Sequence, residues 1–374
     1  MTDMPRLSSI YYNPVGTCNL RCAHCWVEAD TDAPGPARFE QRERRGDELT
    51  FVGLQQILKE ALHLGLEQLK FTGGEPFLRQ DTMDMMEWAA GEGIRITVET
   101  NGTLLNDGLI DRLASLEPQL VAVSLDSVNP QRHDSFRGAK GAHRRAVAAI
   151  KGLAKAGCRV QTIMAVTRSN LSEVESMLAT AKDMGAQSVK LCPVAPMGRG
   201  RAIQEAGDCL SISEFIDLYR SYGNCADYGC YACVAVPAAF RSVKDLKRQT
   251  HCRIKNIIGL LPNGDVSYCG IGMAHPDLTM GNALRDGLRA IWERHPRFEE
   301  IREGLPGKLQ GICSQCILKA ACLGGCRAYA LVLSGSIFAP DWFCAQAARE
   351  GLYPASRLAD PTAVCVGATD RSRR

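Results

Sequence analysis

Across residues 1–200, short β-branched or apolar runs alternate with helical patterns about six times, and no other feature restricts the fold as strongly. The runs that read as strands are Ile10–Asn13, Gln68–Thr72, Arg95–Thr100, Leu120–Leu125, Arg159–Val166 and Ser188–Cys192. Between the first two, Thr50 caps a helix with Leu54, Ile57, Leu58, Ala61 and Leu62 on one face, and Gly65 stops it. Further helices fall near 80–92, 105–115, 142–157 and 171–184. Strand and helix in alternation demand a parallel sheet wound in βα units. Six such units close only part of an eight-unit barrel, and in such folds chemistry sits at the C-terminal ends of the strands. The expected class is α/β, a partial (β/α)6 barrel followed by a small cysteine-rich domain.

From about residue 203 the pattern changes. Residues 206–251 mix a helical stretch with the segment CADYGCYAC, and from Cys252 to Cys344 cysteines, glycines and turns dominate. The expected division is a barrel over 1–205, a bridging region over 206–251, a cysteine-rich domain over 252–350 and a loosely ordered tail over 351–374. A chain of 374 residues fits two domains better than one core. Lys+Arg at 44 against Asp+Glu at 41 leave +3, too balanced for a dedicated nucleic-acid binder. No apolar run approaches the ~20 residues of a membrane span. The start MTDMPRLSS lacks the basic and apolar stretches of a signal peptide, so the expected location is the cytoplasm. The 31–49 insertion, with Pro-Gly-Pro and RERRGDE, reads as a solvated loop, with a substrate-facing lid as the alternative.

The chain has 17 cysteines, which a reducing cytosol does not turn into structural disulfides. Cys18, Cys22 and Cys25 form a C-x3-C-x2-C triplet on the loop after the first strand. Three thiolates on one tight loop hold three irons of a 4Fe–4S cube and leave the fourth iron open to a substrate or cofactor. The competing assignment is zinc, with His24 as fourth ligand, although zinc sites more often pair a C-x2-C with a distant second pair.

Other strand ends fall into step with that triplet. The second strand ends in Gly73, Gly74, Glu75 and Pro76, the third in Glu99, Thr100, Asn101 and Gly102, and the fourth in Ser124, Leu125 and Asp126. Together these motifs resemble the radical S-adenosylmethionine (SAM) superfamily over residues 8 to about 200. The resemblance implies that Gly73, Gly74, Glu75 and Pro76 receive the SAM amino group, where glycines let an ammonium reach backbone carbonyls and a carboxylate. It also implies that Asn101 and Ser124 face the ribose and methionine. Asp126 reads equally as a loop cap. Arg137 reads either as a partner of the SAM carboxylate or as a surface arginine. The segment KLCPVAPMGRGRA resembles the adenine-side strand, with Cys192 a buried small residue rather than a ligand. In the family, the reduced cluster cleaves SAM to methionine and a 5′-deoxyadenosyl radical that abstracts hydrogen from substrate, while the protein excludes water and aims the radical.

Cys252, Gly264, Cys269, Cys313, Cys316, Cys322, Cys326 and Cys344 form a pattern that resembles the SPASM domain, an extension that houses two auxiliary 4Fe–4S clusters. The resemblance implies three clusters in all. Cys313, Cys316, Cys322 and Cys344 would hold the outer auxiliary cluster, and Cys252, Cys269 and Cys326 the inner one. That inner set is one ligand short: the site is open, or Cys225, Cys230 or Cys233 completes it. Zinc is again the competing assignment. Cys158, Cys209 and Cys365 read as non-ligands.

The resemblance implies a maturase of a ribosomally made precursor peptide, forming a crosslink, an epimer or an excision. A sulfatase maturase, a tetrapyrrole or other small-molecule enzyme, and a non-catalytic iron–sulfur carrier are the alternatives. Against sulfatase maturation, that group carries an aspartate base after the cysteine matching Cys269, where this chain has Gly270. Only seventeen residues precede Cys18, too few for a winged-helix leader-binding domain, so leader recognition falls to a separate protein or to 206–251. An external electron donor, flavodoxin or ferredoxin, is expected; nucleic acid and membrane are not. The basic RGRA stretch and the 38–45 arginines would suit an acidic peptide, although a solvated charged face explains them as well. No catalytic side chain is assigned by sequence.

Overall fold

The computed structural model describes residues 4–27, 30–31, 39–223, 230–248 and 252–360. They fall into two compact units. The first comprises Met1–Leu210, Tyr222–Val234 and Asn256–His295, and the second Ser211–Ser221, Ala235–Lys255 and Pro296–Arg374.

The strands of unit one are β1 (Ser9–Tyr12), β2 (Thr17–Cys18), β3 (Asp30–Thr31), β4 (Gln68–Phe71), β5 (Arg95–Thr100), β6 (Leu120–Ser124), β7 (Val160–Val166), β8 (Ser188–Pro193), β9 (Tyr231–Val234), β10 (Ile257–Leu260), β11 (Asp265–Ser267) and β12 (Thr279–Asn282). β2 and β3 pair separately in parallel. The others form one sheet in the order β12-β11-β10-β1-β4-β5-β6-β7-β8-β9. From β10 through β1 and β4 to β9 every pairing is parallel. β1 and β8 do not pair, so the six-unit core stays open, a partial barrel.

Period-two burial explains why these segments are strands. On β1, β4, β8 and β9 one set of side chains is fully buried (Ile10, Tyr12, Leu69, Phe71, Val189, Leu191, Ala232 and Val234) while the alternate set is half-buried. The buried set meets helices such as Phe51–His63, capped by Thr50 accepting from the Gly53 N–H, whose Leu54, Ile57, Leu58 and Ala61 are all buried. Each such Leu or Ile contributes about 2 kcal/mol of apolar burial. The alternate set makes the concave face polar. At its N-terminal end Gln68 donates to Thr97 Oγ1 at 2.8 Å, and Gln161 donates to Ser188 Oγ at 3.0 Å.

The sheet exceeds the six strands that the sequence indicates. β9 takes the YAC that ends CADYGCYAC together with Val234 and extends the parallel run beside β8, with Leu191 opposite Val234. β10 and β11 form a hairpin closed at Asn263-Gly264, where Gly264 has φ +90°. β10 adds to the far side of β1, so Asn256–His295 packs with the barrel rather than with the later cysteines. The reason is backbone hydrogen bonding: β1 would otherwise leave an unpaired edge.

Unit two is mostly short helices, including Pro296–Gly304, Gly311–Gln315, Lys319–Cys322, Arg327–Ser334 and Trp342–Arg349. Its apolar centre is an edge-to-face chain in which Phe240 contacts Phe343 and Tyr353 at ring-centroid distances of 5.2 and 5.8 Å. Among the described residues, no helix is long and apolar enough to cross a membrane.

Candidate active site and metal centres

The loop leaving β1 carries Cys18, Cys22 and Cys25 at the C-terminal end of the parallel strands. It is fixed by its neighbours. Arg21 N–H donates to the Arg137 carbonyl and Ala23 N–H to the Phe136 carbonyl. Arg199 donates through Nε to the Cys22 carbonyl at 2.8 Å, and its N–H donates to the Cys25 carbonyl at 3.0 Å. His24 stacks on Phe136, and burial holds its imidazole neutral, down to about 4. Burial also pushes the Cys18 and Cys22 thiols up, so any metal that takes them must displace protons.

Gly73 and Gly74 press against this loop. A Cβ on Gly74 would lie 1.7 Å from the Thr17 carbonyl oxygen, and one on Gly73 2.9 Å from Asn13 Cβ; Gly73 also has φ +116°. Glu75 and Pro76 are both buried. Glu75 accepts from Thr100 Oγ1 at 2.7 Å, the Asn101 N–H at 2.8 Å and the Phe77 N–H at 3.2 Å, and burial pushes its carboxyl up to about 7. It thereby clamps the end of β4 to the end of β5. Asn101 in turn donates to Asn19 at 2.9 Å and lies 3.9 Å from Cys18 Sγ.

Arg137 is not at the surface. It is 6% exposed, donates through Nε to Asp126 at 2.5 Å and places Nη1 3.5 Å from Cys22 Sγ. Asp126 also accepts from the Ala165 N–H at 3.0 Å, and the adjacent guanidinium holds its carboxyl below the usual range. The two residues that the sequence leaves undecided thus form one buried pair that sets a cation beside a cysteine.

These elements border a cavity of about 170 Å³, open to solvent on one side. Cys18, Cys22, Cys25, Gly73, Gly74, Asn101, Ser124 and Arg137 line it, whereas Glu75 and Pro76 stand behind the wall. The wall also includes Trp26 and Ile163, which the sequence does not single out, and Glu99 and Arg199, which lie in the VETNG and KLCPVAPMGRGRA segments with no role of their own assigned. Glu99 stands two positions before Asn101 and so faces the same side.

The residues fit a cube with one open iron: three thiols from one loop border an open cavity that also contains a buried cation. Among the described residues, no group of three or more His, Cys, Asp or Glu side chains is gathered as a single metal ion requires. His24 Nδ1 is buried without a partner among them.

In unit two, Cys313, Cys316, Cys322 and Cys344 line one small pocket of about 10 Å³ with Ala239, Lys319, Gly324 and Tyr353. Backbone N–H groups point at the sulfurs, from Asp341 to Cys313 and from Leu318 to Cys316, each at 3.4 Å. The turn between Cys322 and Cys326 runs through Leu323, Gly324 and Gly325, all at positive φ. A Cβ on Gly325 would meet Asp341 Oδ2 at 2.4 Å. Asp341 caps the helix that carries Cys344. Arg327 is fully buried; Nη1 donates to the Ile337 and Ala339 carbonyls, while Nε and Nη2 have no acceptor among the described residues. Its charge acts on Cys313. Four thiols with an orphaned buried guanidinium fit an anionic, fully ligated cluster.

The other cysteines are distributed as follows. Cys252 is exposed in unit two, and Cys326 caps the helix Arg327–Ser334, accepting from the Tyr329 N–H. Cys269 ends the β11 segment of unit one, where a Cβ on Gly259 would lie 2.2 Å from its carbonyl oxygen. A Cβ on Gly270 would make ordinary contacts with Asn13 and Trp26. Cys230 is buried beside β9, and Cys233 lies on β9. Cys158 is buried, and Cys209 packs on Ala165, Val194 and Ile203. Cys225 and Cys365 lie outside the described residues, as do 32–38 of the insertion and most of the expected tail. The rest of the insertion is tied down. Arg42 pairs with buried Glu48 and donates to Thr17 Oγ1, while Arg44 donates to the Arg45, Gly46 and Glu48 carbonyls. These two arginines are engaged within the protein, by their own loop and by Thr17.

Residues 12–181 match the family model described as the radical SAM superfamily, and residues 252–317 match SPASM, an iron–sulfur cluster-binding domain. The chain is 28% identical to an AdoMet-dependent heme synthase of Methanosarcina barkeri, over 92% of this chain and 97% of that protein. It is also 28% identical to the mycofactocin maturase MftC of Mycobacterium ulcerans, over 88% and 85% respectively. Its fold is similar to that of Streptococcus suis SuiB, solved bound to precursor peptide SuiA, with a TM-score of 0.68 at 16% identity, over 91% and 76% of the two chains.

Proposed function

The chain is a radical SAM enzyme with a C-terminal SPASM domain, and from that premise we propose that it modifies a ribosomally made precursor peptide. The observation that carries the chemistry is the open cavity beside three thiols of one loop. Peptide as the substrate class is supported by the likeness to a mycofactocin maturase across most of both chains. When bound at Cys18, Cys22 and Cys25, a 4Fe–4S cube with SAM at its open iron supplies the reducing electron and the hydrogen-abstracting radical.

The chain's own residues then have definable tasks. Gly73 and Gly74 keep the end of β4 free of side chains, so main-chain carbonyls there would be open to the SAM ammonium. Glu75 locks that turn to β5 from behind the wall instead of reaching into the cavity. Asn101 steadies Asn19 on the cysteine loop, and Arg137, held by Asp126, offers a cation beside Cys22. Ser124 supplies a hydroxyl to the cavity, whose apolar wall at Leu20, Trp26, Val27 and Ile163 limits water. Cys313, Cys316, Cys322 and Cys344 hold an auxiliary cluster. An external flavodoxin or ferredoxin delivers electrons.

A second reading is favoured by a specific finding: the heme synthase relative is as similar as the maturase and covers slightly more of the chain. The test is anaerobic reconstitution followed by reaction with SAM, a reductant and either candidate precursor peptides or a propionate-bearing porphyrin. The peptide reading predicts about twelve irons per chain, 5′-deoxyadenosine, and a mass change in a peptide but not in the porphyrin. A mass change in the porphyrin without peptide change would establish the second reading instead.

A further inference from the structure

The concave face of the unit-one sheet carries charged groups that the cysteine loop does not engage. Alternation along the strands turns Tyr11, Lys70, Glu99, Lys190, Cys192 and Cys233 to this side. Lys70 Nζ lies 2.6 Å from Glu99 Oε1 and 4.9 Å from the Tyr11 ring centroid. Lys190 stands opposite Ile163 on β7 and opposite Cys233 on β9, and Ile163 and Glu99 both line the cavity. This charged layer is therefore continuous with the cavity wall.

Its charges do not balance. Among the described residues, two ammonium groups, Lys70 and Lys190, share the carboxylate of Glu99, whose oxygens already accept from Lys70 and from Thr72 Oγ1 at 3.1 Å. Asp126, the other carboxylate acting on this region, is bonded to Arg137 and to the Ala165 N–H. Burial pushes the Cys192 thiol up in spite of Lys190, whose ammonium is favoured by Cys192 and then by Glu99 and Cys233. An ammonium on the inner face of a barrel is costly unless an anion meets it.

We infer that the inner face beside the cavity is a carboxylate-binding site, with Lys190 as the counter-ion for a carboxylate on the substrate. The inference rests on the reading that substrate enters this cavity, and it narrows the substrate class. A glutamate or aspartate side chain, a peptide C-terminus or a porphyrin propionate each brings the required group. Lys190 is a compact charge on a flexible stem, suited to any of the three without bidentate geometry.

The test is titration of reconstituted full-length protein, with SAM present, by four probes: N-acetyl-Gly-Glu-Gly-amide, its glutamine counterpart, N-acetyl-Gly-Gly-Gly acid and a propionate-bearing porphyrin. Saturation-transfer NMR and calorimetry read the affinity. At least one carboxylate probe should bind while the glutamine peptide does not. Lys190→Met should weaken that binding about tenfold, and Lys190→Arg should retain it, with iron content and thermal midpoint checking that each variant is folded. Equal binding of the glutamate and glutamine peptides overturns the site and needs no variant. So does unchanged binding by folded Lys190→Met. Rapid alkylation of Cys192 at pH 7 that slows in Lys190→Met would show that a thiolate already balances the lysine, which also overturns it. Binding of porphyrin alone supports the carboxylate site while removing the peptide reading. Binding of an acidic peptide supports both.

Discussion

The two cysteine centres are built on different principles. In unit one the three thiols ride on a single loop, held by strand ends and the helices beside them: Arg137 on Asp126, Arg199, Asn101, and the glycines that let β4 touch Thr17. In unit two the four thiols come from separate turns and helices, gathered by a positive-φ glycine turn and the Asp341 cap. The first frame rests on an apolar core with Ile10, Leu69, Val98 and Val123 fully buried. The second has a buried arginine with orphaned donors beside its thiols. A sheet can afford to leave a centre open on one side, whereas a small helical cage completes its packing only with its cluster bound.

Changes to the ligands test that contrast most severely. Replacing Cys18, Cys22 or Cys25 by alanine should reduce 5′-deoxyadenosine formation to background while leaving far-UV circular dichroism and the barrel's thermal transition nearly unchanged. Cys316→Ala should do the reverse to structure: residues 296–360 become protease-sensitive, product disappears, and some uncoupled SAM cleavage persists. Full product from Cys316→Ala would remove the distinction.

Smaller effects come from the frame. Asp126→Asn leaves Arg137 buried with a weakened partner and should cost about 3 kcal/mol, read by chemical denaturation, together with weaker SAM binding. Gly74→Ala drives a methyl into the Thr17 carbonyl and should cost about 2 kcal/mol, with iron loss confined to the loop cluster. The smallest effect is electrostatic. Lys70 and Lys190 hold the Glu99 carboxyl down to about 2, against an ordinary 4.5. A depressed carboxylate contributes stability that is fully present above 4.5 and lost as pH falls through 2. The thermal-midpoint difference between wild type and Glu99→Gln should therefore shrink steadily from pH 5 to pH 3, and a constant difference would contradict the pairing.

Much of unit one is legible in the sequence because its signals are local. Thr50 caps a helix, apolar positions repeat along β5 and β7, and the cysteine spacing stands on one loop. What is not legible depends on distant pairing. Asp126 and Arg137 look like a loop cap and a surface arginine until the fold brings them to 2.5 Å. Glu75 looks like a cavity residue because of its glycine neighbours, yet its three donors lie behind the wall. The β10–β11 hairpin carries a plain Asn-Gly turn, but its flanking cysteines assign it by family pattern to the later domain, while its hydrogen bonds go to β1. The charge imbalance at Lys190 appears only when four strands are placed side by side.

The most direct test of an open centre in unit one and a closed one in unit two is electron paramagnetic resonance of the reduced, reconstituted enzyme with and without SAM. SAM should shift the signal of one cluster alone, and that signal should be missing from a Cys18/Cys22/Cys25→Ala variant whose remaining signals ignore SAM. A SAM-induced shift that survives in the variant, or none in the wild-type enzyme, would contradict the account.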